Sequence, residues 1–172
     1  ISLAAPTGRA AKHMRESIER SLQTVCNQEE DQSLLQLLPE PQTLHRLLGY
    51  HPHTHSYLFH QNHPLSTDVL IIDESSMIDI SMMDQIWLAS TPSHPTLSAV
   101  PRLIFLGDAN QLPSVGAGAV LRDFIPQALS FSAEFSNTIQ QIRPDVASVL
   151  QDTSEQPILL SNRITRLTES YR

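Results

Sequence analysis

The chain has 172 residues, a length that fits one domain, and its formal charge of −7 argues against a protein that coats nucleic acid over its whole surface. A single cysteine, Cys26, excludes an internal disulfide and a cysteine-based zinc site, which is typical of a reducing compartment. Neither a secretory leader nor an apolar run of membrane length is present, so we expect a cytoplasmic protein with no membrane partner.

The first residues, 1–5, are mostly apolar and predict a buried strand, and residues 10–25 carry apolar side chains at helical spacing. Between them, Gly8 marks a strand-to-helix junction. The N–H groups of a helix start attract phosphate, and Thr7 and Arg9 would add donors. An ordinary capped helix explains the same residues, because one glycine before Lys12 does not make a phosphate-binding loop. Since the sequence opens inside an apolar pattern without a methionine, we expect a piece of a longer protein.

A short helix is predicted after Pro41, with Thr43 as its cap and Gly49 at its end. His45 falls on its first turn, where a histidine at the edge of the core, bonded to backbone, is the alternative to a functional role. Residues 51–67 predict a small exposed hairpin. Five histidines occur there: His51, His53, His55, His60 and His63. We interpret them as a solvated face, and metal binding is the alternative that zinc in the purified protein would reveal.

The stretch 68–79 organises the chain. Four branched apolar residues, Val69 to Ile72, predict a strand buried on both faces, and Asp73 and Glu74 follow directly. In open α/β sheets the chemistry lies at the carboxyl ends of strands. A turn starting there lets both acids face one crevice, where one can hold a hydrated Mg²⁺ and the other can take a proton from water. A strand that simply ends in a solvated acidic turn is the alternative.

An amphipathic helix is predicted over residues 78–90, with its methionines and Trp87 in the core. Residues 102–106 predict a second buried strand, which ends in Gly107 and a polar tip. If the two strands are neighbours in a parallel sheet, Gln111 and Glu74 line one crevice, where a glutamine can orient a water or contact a phosphate. Later elements are less defined: a flexible loop at 112–118, a helix at 119–125, and a variable region, 126–157, with a helix at 131–142 and a loop at 144–157.

Five stretches in this order, 5–11, 43–49, 68–79, 105–121 and 167–172, together resemble the superfamily 1 DNA helicases, and among them the RecD family, the alpha subunits of exodeoxyribonuclease V. The resemblance implies an α/β fold, a RecA-like P-loop NTPase core with a parallel sheet flanked by helices. It implies a motor that uses ATP and Mg²⁺ to move 5′-to-3′ on single-stranded DNA. The beta and gamma subunits of exodeoxyribonuclease V would be its partners.

The same resemblance implies residue roles. Two motifs would contact single-stranded DNA, through Pro6, Thr7, Gly8, Arg9, Thr43 and His45. Asp73 would hold Mg²⁺, and Glu74 would be the base for the attacking water. A further motif couples the γ-phosphate to the DNA site, and its members here are Gly107, Asp108 and Gln111. Arg172 matches an arginine that contacts the γ-phosphate.

The sequence departs from the family in two ways. Arg9 stands where the family often has lysine, which keeps the charge. The Gly-Lys-Thr phosphate-binding loop and its strand, expected before residue 1, are missing, so we predict that these 172 residues alone neither bind ATP tightly nor hydrolyse it. In the family that strand lies between the strands of the two nucleotide motifs. We expect the open slot to be filled, either by these two strands moving together or by pairing between chains.

A second hypothesis is a non-catalytic P-loop-like domain that binds nucleic acid or protein, in which the Asp73-Glu74 pair is only structural. The acidic net charge favours it. A Gly-Lys-Thr loop upstream in the gene would favour the motor instead.

Overall fold

A computed structural model describes residues 1–25, 38–94, 99–108, 120–125, 131–145 and 162–165. The chain divides into two compact units, Ile1–Asp123 and Phe124–Arg172. The loop predicted at 112–118 and most of the loop predicted at 144–157 lie outside the described residues.

The strands are β1 (Ser2–Ala5), β2 (Gln42–Thr43), β3 (Tyr50–His51), β4 (Ser56–Tyr57), β5 (Val69–Ile72) and β6 (Arg102–Phe105). The helices are α1 (Gly8–Val25), α2 (Leu44–Leu47), α3 (Ile80–Ser90), α4 (Val120–Phe124) and α5 (Ala133–Ile142), with a 3₁₀ turn at Ser75–Met77. Four strands form a parallel sheet in the order β2-β1-β5-β6. The predicted α/β class, a parallel sheet flanked by helices, is confirmed.

The core of the first unit packs around β1 and β5. Ala4, Leu70 and Ile72 are fully buried and join the buried leucines of α2 and the buried side chains of α3. Val69 and Ile71 are only half-buried. The prediction of a strand buried on both faces therefore holds fully for one face of β5 and in part for the other.

The second predicted strand, β6, lies at the edge of the described sheet. It pairs with β5 through four residue pairs, Val69 with Arg102 to Ile72 with Phe105. Arg102 and Ile104 are exposed, so the prediction of a buried strand was wrong. The reason is position, because a strand with one described neighbour keeps an open side. Strands β5 and β6 are direct neighbours in the sheet.

Helix α3 begins after Asp79, whose carboxylate accepts a hydrogen bond from the Met82 nitrogen at 2.7 Å. Ile86 and Ala89 are buried on its inner face. Met82 and Met83 pack against the core, as predicted. Trp87, however, is 61% exposed, so its assignment to the core was wrong. One residue is a rotation of about 100° on a helix, which turns the residue after Ile86 off the buried face.

The predicted hairpin is formed by β3 and β4, with Tyr50 paired to Tyr57. It begins one residue earlier than predicted. The five histidines at 51–63 are all exposed, which confirms the solvated face. In the described part of the chain no three His, Cys, Asp or Glu side chains group in a way that could hold a metal ion.

In the second unit, α5 covers most of the predicted helix at 131–142. Ser132 caps it, accepting from the Phe135 nitrogen at 3.2 Å. The Ser132 nitrogen donates to Asn162 Oδ1 at 2.7 Å. Across the described ranges, no helix has both the length and the apolar character needed to cross a membrane.

Candidate functional site

The described residues of the predicted site come to one edge of the sheet. All four strands are parallel, so their carboxyl ends share that edge. Across it, Thr43 ends β2, residues 6–9 follow β1, Asp73 and Glu74 follow β5, and residues 107–108 follow β6 closely. The residues assigned to DNA therefore occupy one half of the edge, and those assigned to the nucleotide occupy the other. Gln111 and Arg172 lie outside the described residues.

Asp73 continues the sheet for one residue beyond β5. Its nitrogen donates to the Ala4 carbonyl of β1 at 3.0 Å. Its Oδ1 accepts from the Glu74 nitrogen at 2.9 Å, which fixes the carboxylate against the next peptide. The residue is half-buried, so the carboxylate keeps access to the edge.

Glu74 makes the turn that the sequence predicted after the strand. Its backbone is left-handed, with φ 52° and ψ 40°. For a residue with a Cβ this conformation costs roughly 1–2 kcal/mol, and such strain is concentrated at functional sites. The left-handed residue changes the chain direction at once, so the Glu74 side chain no longer follows the alternation of β5.

Ser75 holds this turn in place and is fully buried. Its nitrogen donates to the Leu106 carbonyl at 2.8 Å, and its hydroxyl donates to the Ile72 carbonyl at 2.9 Å. The Leu106 nitrogen in turn donates to the Ile72 carbonyl at 2.8 Å. The turn is thus tied to its own strand and to the chain beyond β6. Sequence reasoning did not assign a role to Ser75, because the bond to Leu106 depends on the strand order.

Gly107 lies against this same turn. A Cβ placed there would stand 3.0 Å from the Ser75 nitrogen and 3.1 Å from the Ser76 nitrogen. Such distances are shorter than most real Cβ contacts, so a side chain at this position would require the backbone of Ser75 or Ser76 to shift. The segments that follow β5 and β6 therefore approach each other closely at Gly107, while Gln111, the other residue of the predicted crevice, lies outside the described residues.

On the other half of the edge, Thr7 caps α1. Its Oγ1 accepts from the Ala10 nitrogen at 3.2 Å, and its carbonyl accepts from the Ala11 nitrogen at 3.0 Å. The capped-helix alternative is thus realised. A threonine hydroxyl that accepts can still donate its hydrogen to a phosphate. Among the described residues, no atom lies within 4 Å of a Cβ placed at Gly8, so the backbone is open to close approach there.

Thr43 caps α2 as predicted, accepting from the Arg46 nitrogen at 3.3 Å. Gly49 ends the turn with φ 65°. His45 is exposed, and its ring contacts those of Tyr50 and Tyr57 at centroid distances of 5.2 and 6.3 Å. The alternative of a core-edge histidine bonded to backbone is therefore not what the structure has.

A groove of about 520 Å³ runs between α1 and residues 40–46. Gly8, Lys12, Thr43 and Arg46 line it together with Arg15 and three glutamates. Hydrogen bonding to Glu19 and the charge of Glu40 raise the pKa of Arg15, so that guanidinium is committed to its partners. Lys12 has Glu16 at 3.7 Å. Arg46 forms no ion pair with any residue in the described ranges, and its charge had no assigned role in the sequence-based hypothesis.

The carboxylates fit part of a nucleotide site. Mg²⁺ prefers one or two carboxylates, phosphate oxygens and water. Asp73 offers its carboxylate for this, one oxygen of which also accepts a hydrogen bond from a peptide N–H. Glu74 makes no side-chain cap bond to the turn that follows it, which is consistent with a carboxylate that acts on water.

Comparison with known proteins adds the family. The AAA domain family matches residues 1–117. The RecBCD enzyme subunit RecD of Haemophilus influenzae is 40% identical over 135 residues, which cover 76% of this chain and 20% of that protein. RecD of Buchnera aphidicola subsp. Schizaphis graminum is 31% identical over 100% of this chain and 27% of its own length.

A third relative is the ATP-dependent RecD2 DNA helicase of Deinococcus radiodurans, 34% identical over 70% of this chain and 13% of that protein. The chain therefore spans between 13% and 27% of the length of these three curated relatives. The predicted likeness to RecD is confirmed, and it reaches well beyond the motifs on which the sequence analysis relied.

Proposed function

Because this chain belongs to the AAA domain family and is RecD-like over most of its length, we propose that it forms part of the first motor domain of an ATP-dependent DNA helicase. The helicase would be the alpha subunit of a cytoplasmic exodeoxyribonuclease V and would work with the beta and gamma subunits. It would use ATP hydrolysis to move 5′-to-3′ on single-stranded DNA. The relatives are named as RecBCD subunits and as a DNA helicase, which supports the class of activity.

The observation that carries the proposal is the turn at Asp73 and Glu74. It stands at the carboxyl end of β5, has left-handed backbone at Glu74, and is tied to the chain after β6. Asp73 would hold Mg²⁺, which neutralises charge on the phosphates when bound. Glu74 would accept a proton from the attacking water. Gly107 and Asp108 would bring the following residues, including Gln111, to the γ-phosphate, and Arg172 would contact it.

The other half of the edge would hold single-stranded DNA. The start of a helix carries backbone N–H groups that favour phosphate, and Gly8 leaves room for a phosphate to approach. Pro6 and Arg9 flank this position, and Thr43 and His45 lie at the end of the neighbouring strand. Strand β1, the inner strand of the DNA half, is bonded to Asp73 of the nucleotide half through the Ala4 carbonyl. This is a direct path by which phosphate binding and DNA binding could affect each other.

We propose further that the 172 residues alone do not turn over ATP. The sequence has no Gly-x-x-x-x-Gly-Lys-Ser/Thr loop, which supplies the lysine and hydroxyl that hold phosphates and metal.

The test is ATP hydrolysis stimulated by single-stranded DNA in the complete helicase subunit. Glu74→Gln removes the base while keeping the shape of the side chain, so turnover should fall by roughly 10²–10⁴-fold with ATP binding retained. Asp84→Asn, at an exposed acid on α3, is the matched control and should be unchanged. Wild-type turnover in Glu74→Gln would contradict the proposal, as would hydrolysis by the 172 residues alone.

The competing hypothesis, a non-catalytic domain with a structural acid pair, has one observation in its favour. Asp73 Oδ1 bonds the Glu74 nitrogen and so has a structural use. The same assay separates the two, because a structural pair predicts no effect of Glu74→Gln on turnover.

A further inference from the structure

Three rings meet beside the DNA half of the edge, and we call them the aromatic cluster: His45, Tyr50 and Tyr57. The Tyr50 and Tyr57 centroids lie 5.1 Å apart, and His45 stands nearly perpendicular to Tyr50 at 81°. The Tyr50 hydroxyl is 2.9 Å from His55 Nδ1, which fixes that ring further. Both tyrosines are half-buried and His45 is exposed, so the cluster keeps part of its surface accessible.

The cluster is attached firmly to the sheet edge. His45 is the second residue of α2. The helix itself begins directly after its cap, Thr43, at the end of β2. The hairpin is bonded to the end of α2, since the Leu58 nitrogen donates to the Gly49 carbonyl at 3.1 Å and the Phe59 nitrogen donates to the Leu48 carbonyl at 3.2 Å. A Cβ at Gly49 would lie 2.7 Å from the Leu58 Cβ, so the helix and hairpin are in close contact there.

We propose that the aromatic cluster is a stacking platform for a nucleobase of the single strand, a role that rests on the proposed function. Bases stack on Tyr and His side chains without regard to sequence, which suits a protein that moves along DNA. Arg46, next to His45 and in the groove beside Lys12, supplies positive charge for the phosphate attached to that base. One side of α2 thus binds the base and the other binds the backbone.

The direct test uses the complete protein and a thymidine oligonucleotide with 5-iodouracil at one position. Irradiation joins this base to an aromatic side chain stacked on it, and mass spectrometry identifies the peptide. The expected crosslinks fall on His45, Tyr50 or Tyr57. Crosslinks only elsewhere on the protein would overturn the platform.

Affinity measurements on the same oligonucleotide separate stacking from charge. Tyr50→Leu keeps the bulk but removes the ring, and should weaken binding roughly five- to hundredfold without changing the dependence of log K on log salt. Tyr50→Phe keeps the ring and should bind like wild type. Arg46→Gln should reduce the salt slope by about one. Trp87→Leu, which removes an exposed ring outside the cluster, is the matched control and should bind normally.

The two proposals fail differently. If wild type binds the oligonucleotide and Tyr50→Leu binds equally well, the platform is wrong and the helicase assignment stands. If wild type does not bind single-stranded oligonucleotide at all, both are wrong.

Discussion

Gly107 and Ser75 are in backbone contact: a Cβ at Gly107 would lie 3.0 Å from the Ser75 nitrogen. The contact joins the turn after β5 to the segment after β6. This contact fixes the position of Glu74 at the sheet edge, because the next residue, Ser75, is hydrogen-bonded to Leu106. The position of the candidate base is therefore set by a neighbouring strand as well as by its own.

The contact predicts that Gly107→Ala destabilises the protein. The added methyl group must displace the backbone of Ser75 or Ser76, so we expect a loss of about 1–3 kcal/mol in the free energy of unfolding and reduced ATP turnover. Gly8→Ala is the matched control, because its methyl group meets open space at the first turn of α1. It should be neutral or stabilise by up to about 1 kcal/mol. Urea denaturation measures both, and equal losses in the two variants would contradict the account.

The left-handed backbone of Glu74 makes a second prediction. Glycine adopts that conformation without steric cost, so Glu74→Gly should be more stable than Glu74→Ala by roughly 0.5–1 kcal/mol. Both variants lose the carboxylate and should lose ATP turnover in the complete protein to a similar extent. Denaturation midpoints decide the stability order, and a glycine variant less stable than the alanine variant would show that the strain is absent.

The adjacent serines should respond differently to the same substitution. The Ser75 hydroxyl donates to the Ile72 carbonyl, and its removal should cost about 0.5–1.5 kcal/mol. The cost stays in this range because the carbonyl keeps its bond from the Leu106 nitrogen. The Ser76 Oγ is buried and has no hydrogen-bond partner among the described residues, so Ser76→Ala should be neutral or stabilising. Thermal unfolding of the pair checks the order, and a larger loss in Ser76→Ala would refute it.

Tyr57 predicts a dependence of stability on alkaline pH. Burial raises the pKa of Tyr57 above its ordinary 10.0, and Tyr50 and Asp79 raise it further. A folded pKa above the unfolded value gives stability that is present below pH 10 and is lost as pH rises through the folded pKa. Unfolding free energies measured from pH 8 upwards should therefore decrease once the pH rises above the ordinary tyrosine pKa of 10.0. Tyr57→Phe should remove part of the fall, and an unchanged pH profile in that variant would contradict this origin.

Sequence patterns located most elements because local signals agreed with the packing. The apolar runs became β1 and β5, and the capping residues Thr43 and Gly49 bound the short helix where predicted. The errors came from tertiary position. An apolar run gives the same signal in a central and an edge strand, so the exposure of β6 was missed. Trp87 was placed in the core from its character, although its phase on α3 turns it to solvent.

The candidate site was predictable to the extent that it is local. Asp73 and Glu74 follow their strand directly, so their place at the carboxyl edge follows from the strand alone. The contact between Gly107 and Ser75 depends on which strands are neighbours, and the aromatic cluster depends on the pairing of Tyr50 with Tyr57. Neither the strand order nor the hairpin register can be read from composition or spacing.

Parallel pairing in this sheet has a kinetic consequence. Ser2 pairs with Leu70, so β1 and β5 meet only after a long loop has closed, whereas Tyr50 and Tyr57 are close in sequence and can pair early. Folding rates fall as contacts become less local. The hairpin should therefore form on a nascent chain before the sheet does. The acidic turn, which needs both β1 and β6 as neighbours, should acquire its final conformation among the last steps of folding.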